Sequence, residues 1–286
     1  MKNAIEILNL SKRYPLFSLD NISFDVPCGS IVGFIGENGA GKTTTIKLIL
    51  NEIRRDSGSI KILGMDNIRN ERSCKEQIGV VFDDCYFHAN FTAGEIGNIL
   101  KKSFRAWDRA LFEQYLLRFD LSKEKTIKEY SKGMKMKLSI ATALAHKPRL
   151  LILDEATSGL DPIARSDILD LLLEFMQDES HSILFSSHIT NDLEKIADYI
   201  TFIHDGNIVF SRSKDDLIDR SGLLKCGTAD FSRVNKKDLV RWRKDEFGYT
   251  ALVADREAAR RSYGGMVIDR ASIDEIMNLF VKGEKS

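Results

Sequence analysis

Between Gly36 and Thr44 the chain reads GENGAGKTT, which satisfies G-x-x-x-x-G-K-[ST]. It lies directly after the apolar run Ile31–Ile35 and directly before a helical pattern. In such a loop the glycines let consecutive backbone N–H groups turn toward the β- and γ-phosphates of a nucleotide. The contacts fall on Asn38, Gly39, Ala40, Gly41, Lys42, Thr43 and Thr44, with Lys42 as a point charge and the Thr43 hydroxyl as a ligand for magnesium. The bland alternative is a chance glycine turn, against which stands the strand, loop and helix order.

A second set of carboxylates follows in LLILDEATSGLD, Leu150 to Asp161. The apolar residues bury a strand whose end delivers Asp154, suited to the magnesium shell through water, and Glu155, suited to polarise an attacking water. Alone, adjacent carboxylates at a strand end are equally a solvated turn; paired with the loop at Gly36 they become chemistry. SILFSSH repeats the geometry on another strand and ends at His188, which can hydrogen-bond a γ-phosphate. A lone histidine there is usually structural, so His188 counts as the third member of the set.

One further stretch, EYSKGMKMKLSIATAL, opens a strong helix with Ser131 and Gly133 amid lysines. A hydroxyl, an unencumbered backbone and the positive end of a helix dipole together make a second anion site, or simply a capped helix.

These groups need elements to hold them. Short β-rich runs (IVGFI, IGVVF, LLILD, SILFSS, YITFIHDGNIVF) alternate with helical patterns, and most are almost wholly apolar, which predicts an α/β fold around a mainly parallel sheet. IEILNL and ISFDV predict a smaller antiparallel piece at the start. From about residue 92 to 146 the helical pattern prevails, and in WDRALFEQYLLRF the residues Leu111, Tyr115, Leu116 and Phe119 recur at helical spacing. After about Gly222 the texture changes to strand, helix, strand, helix, the last opened by a capping box at Ser272 and Glu275. The division expected is residues 1–221, carrying the helical insertion, and a small α+β appendage at 222–286.

Bulk properties exclude more than they assign. The 286 residues are 43% hydrophobic, ample for a real core. Lys plus Arg equals Asp plus Glu at 42 each, so the net charge gives no argument for a nucleic-acid partner. Cys28, Cys74, Cys85 and Cys226 lack CxxC spacing and read as reduced thiols. MKNAIEILNLSKRY alternates as a strand does rather than as a signal peptide, and no apolar run approaches the roughly 20 residues that span a bilayer.

Over roughly Ile5 to Phe210 the sequence resembles the ATP-binding cassette family. GENGAGKTT matches its Walker A loop, LLILDE its Walker B strand and glutamate, SGLD its D-loop and SSH its switch histidine, while YSKGM sits where the family has its signature. The resemblance implies a P-loop NTPase cassette that hydrolyses ATP with Mg2+. Glu155 would be the base, with Lys42 and His188 at the γ-phosphate, Thr43, Asp83 and Asp154 toward the metal, and Tyr14 stacked on adenine. It also implies a head-to-tail pair of cassettes, a homodimer or a pair with a sister chain, in which Ser131, Gly133 and Asp161 meet the neighbour's nucleotide. A transmembrane permease partner and a peripheral place on the cytoplasmic face of the membrane follow from the same likeness.

Two departures stand out. The signature carries Lys132 for glycine and Met134 for glutamine, a form similar to exporters of the bacitracin-resistance and type-2 groups, which move peptides, antibiotics or lipids. In IGVVFDDCYF the family's glutamine aligns with Asp83, which keeps an oxygen for magnesium but adds negative charge. The aromatics of CYFHANF, Cys85 to Phe91, are either a surface for the permease or core. A soluble cassette ATPase acting on DNA or ribosomes lacks support, since there is neither a long coiled coil nor a second cassette. A regulatory subunit without useful hydrolysis is opposed by Glu155 and His188 and kept open by Asp83 and Lys132. NKKD and DRSG match GTPase motifs but lie too far downstream of the loop for that fold.

Overall fold

The computed structural model describes residues 3–285; Met1 and Lys2, the start of the first expected strand, lie outside them. The chain opens with the hairpin β1 (Asn3–Tyr14) and β2 (Phe17–Pro27), then runs through β3 (Ile31–Ile35) into helix α1 (Lys42–Ile49). Strands β4 (Ser57–Ile62) and β5 (Met65–Asp66) return beside β1, giving an antiparallel sheet of order β2-β1-β4-β5. This is the antiparallel piece that the alternating N-terminal residues predict.

Helix α2 (Glu71–Lys75) leads to β6 (Ile78–Val81), and then come the helices α3 (Ala93–Ser103), α4 (Arg109–Arg118) and α5 (Lys132–Leu144). Each begins on a side-chain cap: Thr92 in a full capping box, Asp108 and Ser131. In α4, Phe112 and Leu116 are the buried pair, and Leu111 and Tyr115 flank them half-buried. The remaining core elements are β7 (Leu150–Asp154), α6 (Pro162–Phe175), β8 (Ser182–Ser187), α7 (Thr190–Ile196), β9 (Tyr199–His204) and β10 (Asn207–Ser213).

The six-stranded central sheet has the order β10-β9-β3-β8-β7-β6 and is parallel except for β10, which pairs antiparallel with β9. Its strands read as unbroken apolar runs because both faces are covered. Leu150 and Ile152 face the antiparallel sheet and α1, while Leu151 and Leu153 face the helices α3–α6, a strict period of two. Each such leucine taken fully out of water contributes about 2 kcal/mol.

The appendage is a five-stranded sheet, β14-β11-β13-β12-β15, built from β11 (Gly222–Cys226), β12 (Leu239–Asp245), β13 (Gly248–Val253), β14 (Val267–Arg270) and β15 (Glu284–Lys285). Its helices are α8 (Thr228–Phe231), α9 (Arg256–Ser262) and α10 (Ile273–Lys282), the last capped by the Ser272 and Glu275 box. One face of this sheet has its own small core around Phe231, Val253 and Ile268. The other face joins the main core through Leu223, Leu252, Ile276 and Leu279, and Phe280 meets Phe210 of β10 at 5.3 Å between ring centroids. The first amide of α10, on Ile273, donates to Glu194 of α7 at 2.8 Å. The cysteines are free thiols.

Candidate active site

Parallel register sets the site. Ile35 of β3 lies opposite Ser187 of β8, and Ser186 lies opposite Asp154 of β7, so three strands end on one edge of the sheet. The next residues are Gly36, His188 and Glu155, which brings a loop near the start of the chain and two stretches more than a hundred residues further on to the carboxyl end of the sheet, where open α/β sheets take their ligands.

The loop from Gly36 wraps the Lys42 ammonium, which donates to the carbonyls of Gly36 at 2.7 Å and Glu37 at 3.3 Å. Asn38 and Gly39 are exposed at the tip, while Ala40 and Gly41 are buried. Gly41 has φ +114, a conformation closed to other residues, and a Cβ there would strike Leu19 and the ring of Phe17. The β1–β2 hairpin therefore packs on the phosphate loop. Tyr14 sits at the tip of that hairpin, opposite Phe17 and partly exposed, with the Lys12 ammonium 5.5 Å above its ring.

Glu155 lies between two cations or hydrogen-bonding groups. Its Oε1 is 3.2 Å from Lys42 Nζ, and its Oε2 is 2.5 Å from Nδ1 of His188. The lysine is 5% exposed and the glutamate side chain 16%, so water screens this pair weakly. Glu155 also has φ +54, an uncommon backbone state for a residue with a side chain.

Beside it, Asp154 is buried with Oδ1 lacking any hydrogen-bond partner. Burial pushes its carboxyl above the ordinary range, and the charges of Glu155 and Asp83 add to that while the hydroxyls of Thr43 and Ser186 oppose it. Thr43, Asp83, Asp154 and Glu155 line one cleft of about 420 Å3 together with Lys47 and Tyr86. Asp83 is exposed and accepts a hydrogen bond from Tyr86 Oη at 3.4 Å, and its charge lifts the Tyr86 phenol above the usual value. Among the described residues no cluster of three or more His, Cys, Asp or Glu side chains has metal-holding geometry. The orphaned buried oxygen of Asp154 beside the Thr43 hydroxyl fits a divalent cation that takes its remaining oxygens from a phosphate.

Ser131, Gly133 and Asp161 form a second group. Ser131 caps α5 by accepting from the Met134 amide at 3.2 Å, and Asp161 caps α6 by accepting from Ile163 and Ala164. Those two amides, Ala164 first, hold the Asp161 carboxyl below its usual range. A Cβ on Gly133 would lie 3.5 Å from that of Ala164, and the Lys132 ammonium lies directly over Gly159. The two helix starts therefore face one another. Among the described residues no hydrogen bond or ion pair joins this group to Lys42 or Glu155.

Of the aromatics after Asp83, Tyr86 is 75% exposed and Phe91 39%, whereas Phe87 packs on the core. Phe87 borders a separate apolar groove of about 300 Å3 with Phe82, Leu100, Phe104 and His146. His146 is buried, stacked on Phe104 at 4.1 Å, with Nε2 2.9 Å from the Ile78 carbonyl. Sequence reading took Tyr86 only as one of the aromatics of CYFHANF and did not single out His146, which belongs to no spacing pattern.

A family model described as ABC transporter matches residues 19–158. The bacitracin transport ATP-binding protein BcrA of Bacillus licheniformis is 36% identical over 224 residues, covering 77% of this chain and 73% of that protein. The chain belongs to the ABC transporter family. The ABC transporter ATP-binding protein YtrB of Bacillus subtilis is 31% identical over 264 residues, 91% of this chain and 89% of that protein, a span that reaches into the appendage. A solved ATP-binding subunit of an ABC transporter superposes with a TM-score of 0.69 at 28% identity, over 75% of this chain and 91% of its own. The fold is thus that of an ABC cassette, and the chain is an ATP-binding, ATP-hydrolysing subunit that drives transport. Among the described residues no helix is long and apolar enough to cross a membrane.

Proposed function

We propose that this cassette powers the export of a peptide antibiotic, or of a related peptide or lipid, through a separate permease, from the cytoplasmic face of the membrane. The bacitracin-transport relative supports that substrate class. The observation that carries the mechanism is Glu155 held between Lys42 and His188. Without nucleotide, the carboxylate neutralises Lys42; a γ-phosphate arriving at that ammonium takes over this role and leaves Glu155 to accept a proton from the attacking water. His188 then steadies both the carboxylate and the phosphate.

Thr43, Asp154 and Asp83 are the groups that would hold Mg2+, which when bound neutralises the phosphate charge. The exposed starts of α5 and α6, with Ser131, Gly133 and Asp161, supply N–H and hydroxyl groups for the nucleotide of a second cassette packed head to tail. Loss of the γ-phosphate then removes the charge that bridges the two halves. The apolar groove at Phe82, Phe87 and Phe104 is suited to receive a cytoplasmic helix of the permease.

The test is Glu155→Gln, measured as Mg-ATP turnover and as ATP binding. Turnover is expected to fall about 10²- to 10⁴-fold with binding retained; undiminished turnover removes Glu155 as the base. Purification from native membranes in mild detergent is expected to bring down a multi-spanning chain in fixed proportion, and recovery without one removes the permease.

A further inference from the structure

Helix α7 begins two residues after His188, and its inner side carries Asp192, 1% exposed. Facing it from α6 is Arg165, whose Nε lies 3.9 Å from Asp192 Oδ2. Both atoms are buried and neither has a hydrogen-bond partner. A guanidinium N–H and a carboxylate oxygen shut away from water with their bond unmade are costly, and the two atoms need to approach by only about 1 Å to make it. The other arm of the same guanidinium, Nη2, donates to the carbonyl of Leu160 at 3.5 Å. Leu160 lies one residue before Asp161, in the SGLD segment. One planar fork therefore touches both the segment that leads into α6 and the helix that leads out of His188.

We propose that Arg165 and Asp192 are a positioning pair for ATP hydrolysis: the guanidinium ties Leu160 to α7 and thereby sets His188, and with it Glu155, for the attacking water. The link from Asp192 back to His188 is short and stiff. The Asp192 amide donates to the Ile189 carbonyl at 3.2 Å, the Ile189 amide donates to Ser187 Oγ at 3.0 Å, and the neighbouring Leu193 is fully buried over Gly33 of β3. A shift of Asp192 is therefore carried to the strand end from which His188 projects. An arginine is required because only its fork serves two acceptors in fixed geometry, whereas lysine offers one compact charge. Neither residue touches the nucleotide cleft.

The effect on turnover rests on the roles proposed above for Glu155 and His188. Transmission to a second cassette rests on the head-to-tail reading above, because Leu160 and Asp161 belong to the face offered to the neighbour. The experiment is steady-state Mg-ATP hydrolysis by the full-length chain carrying Arg165→Lys, Asp192→Asn or both, with melting temperatures alongside. Each single change is expected to lower kcat about tenfold and to leave KM for ATP within about twofold, and the double change is expected to be no worse than the poorer single. An unchanged kcat, effects on kcat that multiply in the double variant, or a rise in KM at constant kcat overturns the pair. Where Asp192→Asn does not fold, Arg165→Lys decides alone, since that side chain is 30% exposed and keeps its charge. The dependence on ATP concentration separates the two readings. A Hill coefficient of one in the wild type, with kcat lowered in the variants, removes the sandwich and keeps the pair; a coefficient above one with unchanged kcat does the reverse.

Discussion

The two anion sites proposed for this chain differ in completeness. At Lys42 the ammonium has local counterparts: it is wrapped by two carbonyls of its own loop and faced by Glu155, which is faced in turn by His188. At Ser131 the cap is made and the helix start is open, and Lys132 beside it is exposed with its ammonium over Gly159. A buried site must be neutral before its ligand arrives, because an uncompensated charge in low dielectric is expensive. An exposed helix start is kept in readiness by water. On the function proposed above, the first region binds by itself and the second acquires its role when another surface covers it.

The harshest way to break the contrast is Lys42→Ala. It removes the phosphate charge and leaves Glu155 without its ion pair, and turnover is expected to fall about 10²- to 10³-fold with loss of ATP binding in equilibrium titration. Ser131→Ala is gentler and sharper: kcat should drop about tenfold while dilute chain binds ATP as before, and loss of the cap should cost about 1 kcal/mol in denaturant unfolding. Weakened binding by dilute Ser131→Ala would mean that the second site serves its own chain.

A smaller effect has the opposite sign. Asp154 is held above the ordinary carboxylate range by burial, so the folded state binds its proton more tightly than the unfolded state does. Its contribution to stability accordingly falls as pH rises through that interval, and at neutral pH the ionised group destabilises the fold. Asp154→Asn should stabilise the nucleotide-free protein on the order of 1 kcal/mol at pH 7, read by urea unfolding, while weakening activity at limiting Mg2+.

The last effect, absent at neutral pH and growing only on acidification, concerns His146 in the apolar groove. Burial holds its imidazole below the ordinary histidine range, against the opposing pull of the Ile78 and Thr142 carbonyls and the Glu76 charge. Its neutral form is the native one, so stability is complete above the unfolded value of about 6.5 and is lost toward the lowered folded value as pH falls. Unfolding free energy should decline by up to about 1.4 kcal/mol per pH unit below that point, and His146→Phe should flatten the slope.

The loop at Gly36, the carboxylates Asp154 and Glu155, and His188 were legible as candidates because each lies in a short run at a strand end, and the apolar strands announced themselves by composition. Strand β12 was not, since LVRWRKD sets Trp242 among basic residues and hides its alternation. The appendage read as a separate texture, yet Leu252, Ile276 and Leu279 share the core of the cassette, because one face of its sheet is apolar toward α7 and β10. Asp83 was visible as a departure from the family, but its bond to Tyr86 required the loop to fold back on itself.

What the sequence by itself determined is local: a glycine-rich loop whose amides converge over a few residues, helix starts with their caps, and strands apolar enough to be buried on both faces. What only the tertiary structure decided is which of these meet. Glu155 stands between Lys42 and His188 because β7, β8 and β3 lie side by side in register, a pairing set by long-range packing. Arg165 and Asp192 meet for the same reason, since nothing in the spacing of two charges on separate helices specifies that Asp192 will be buried and faced by Arg165.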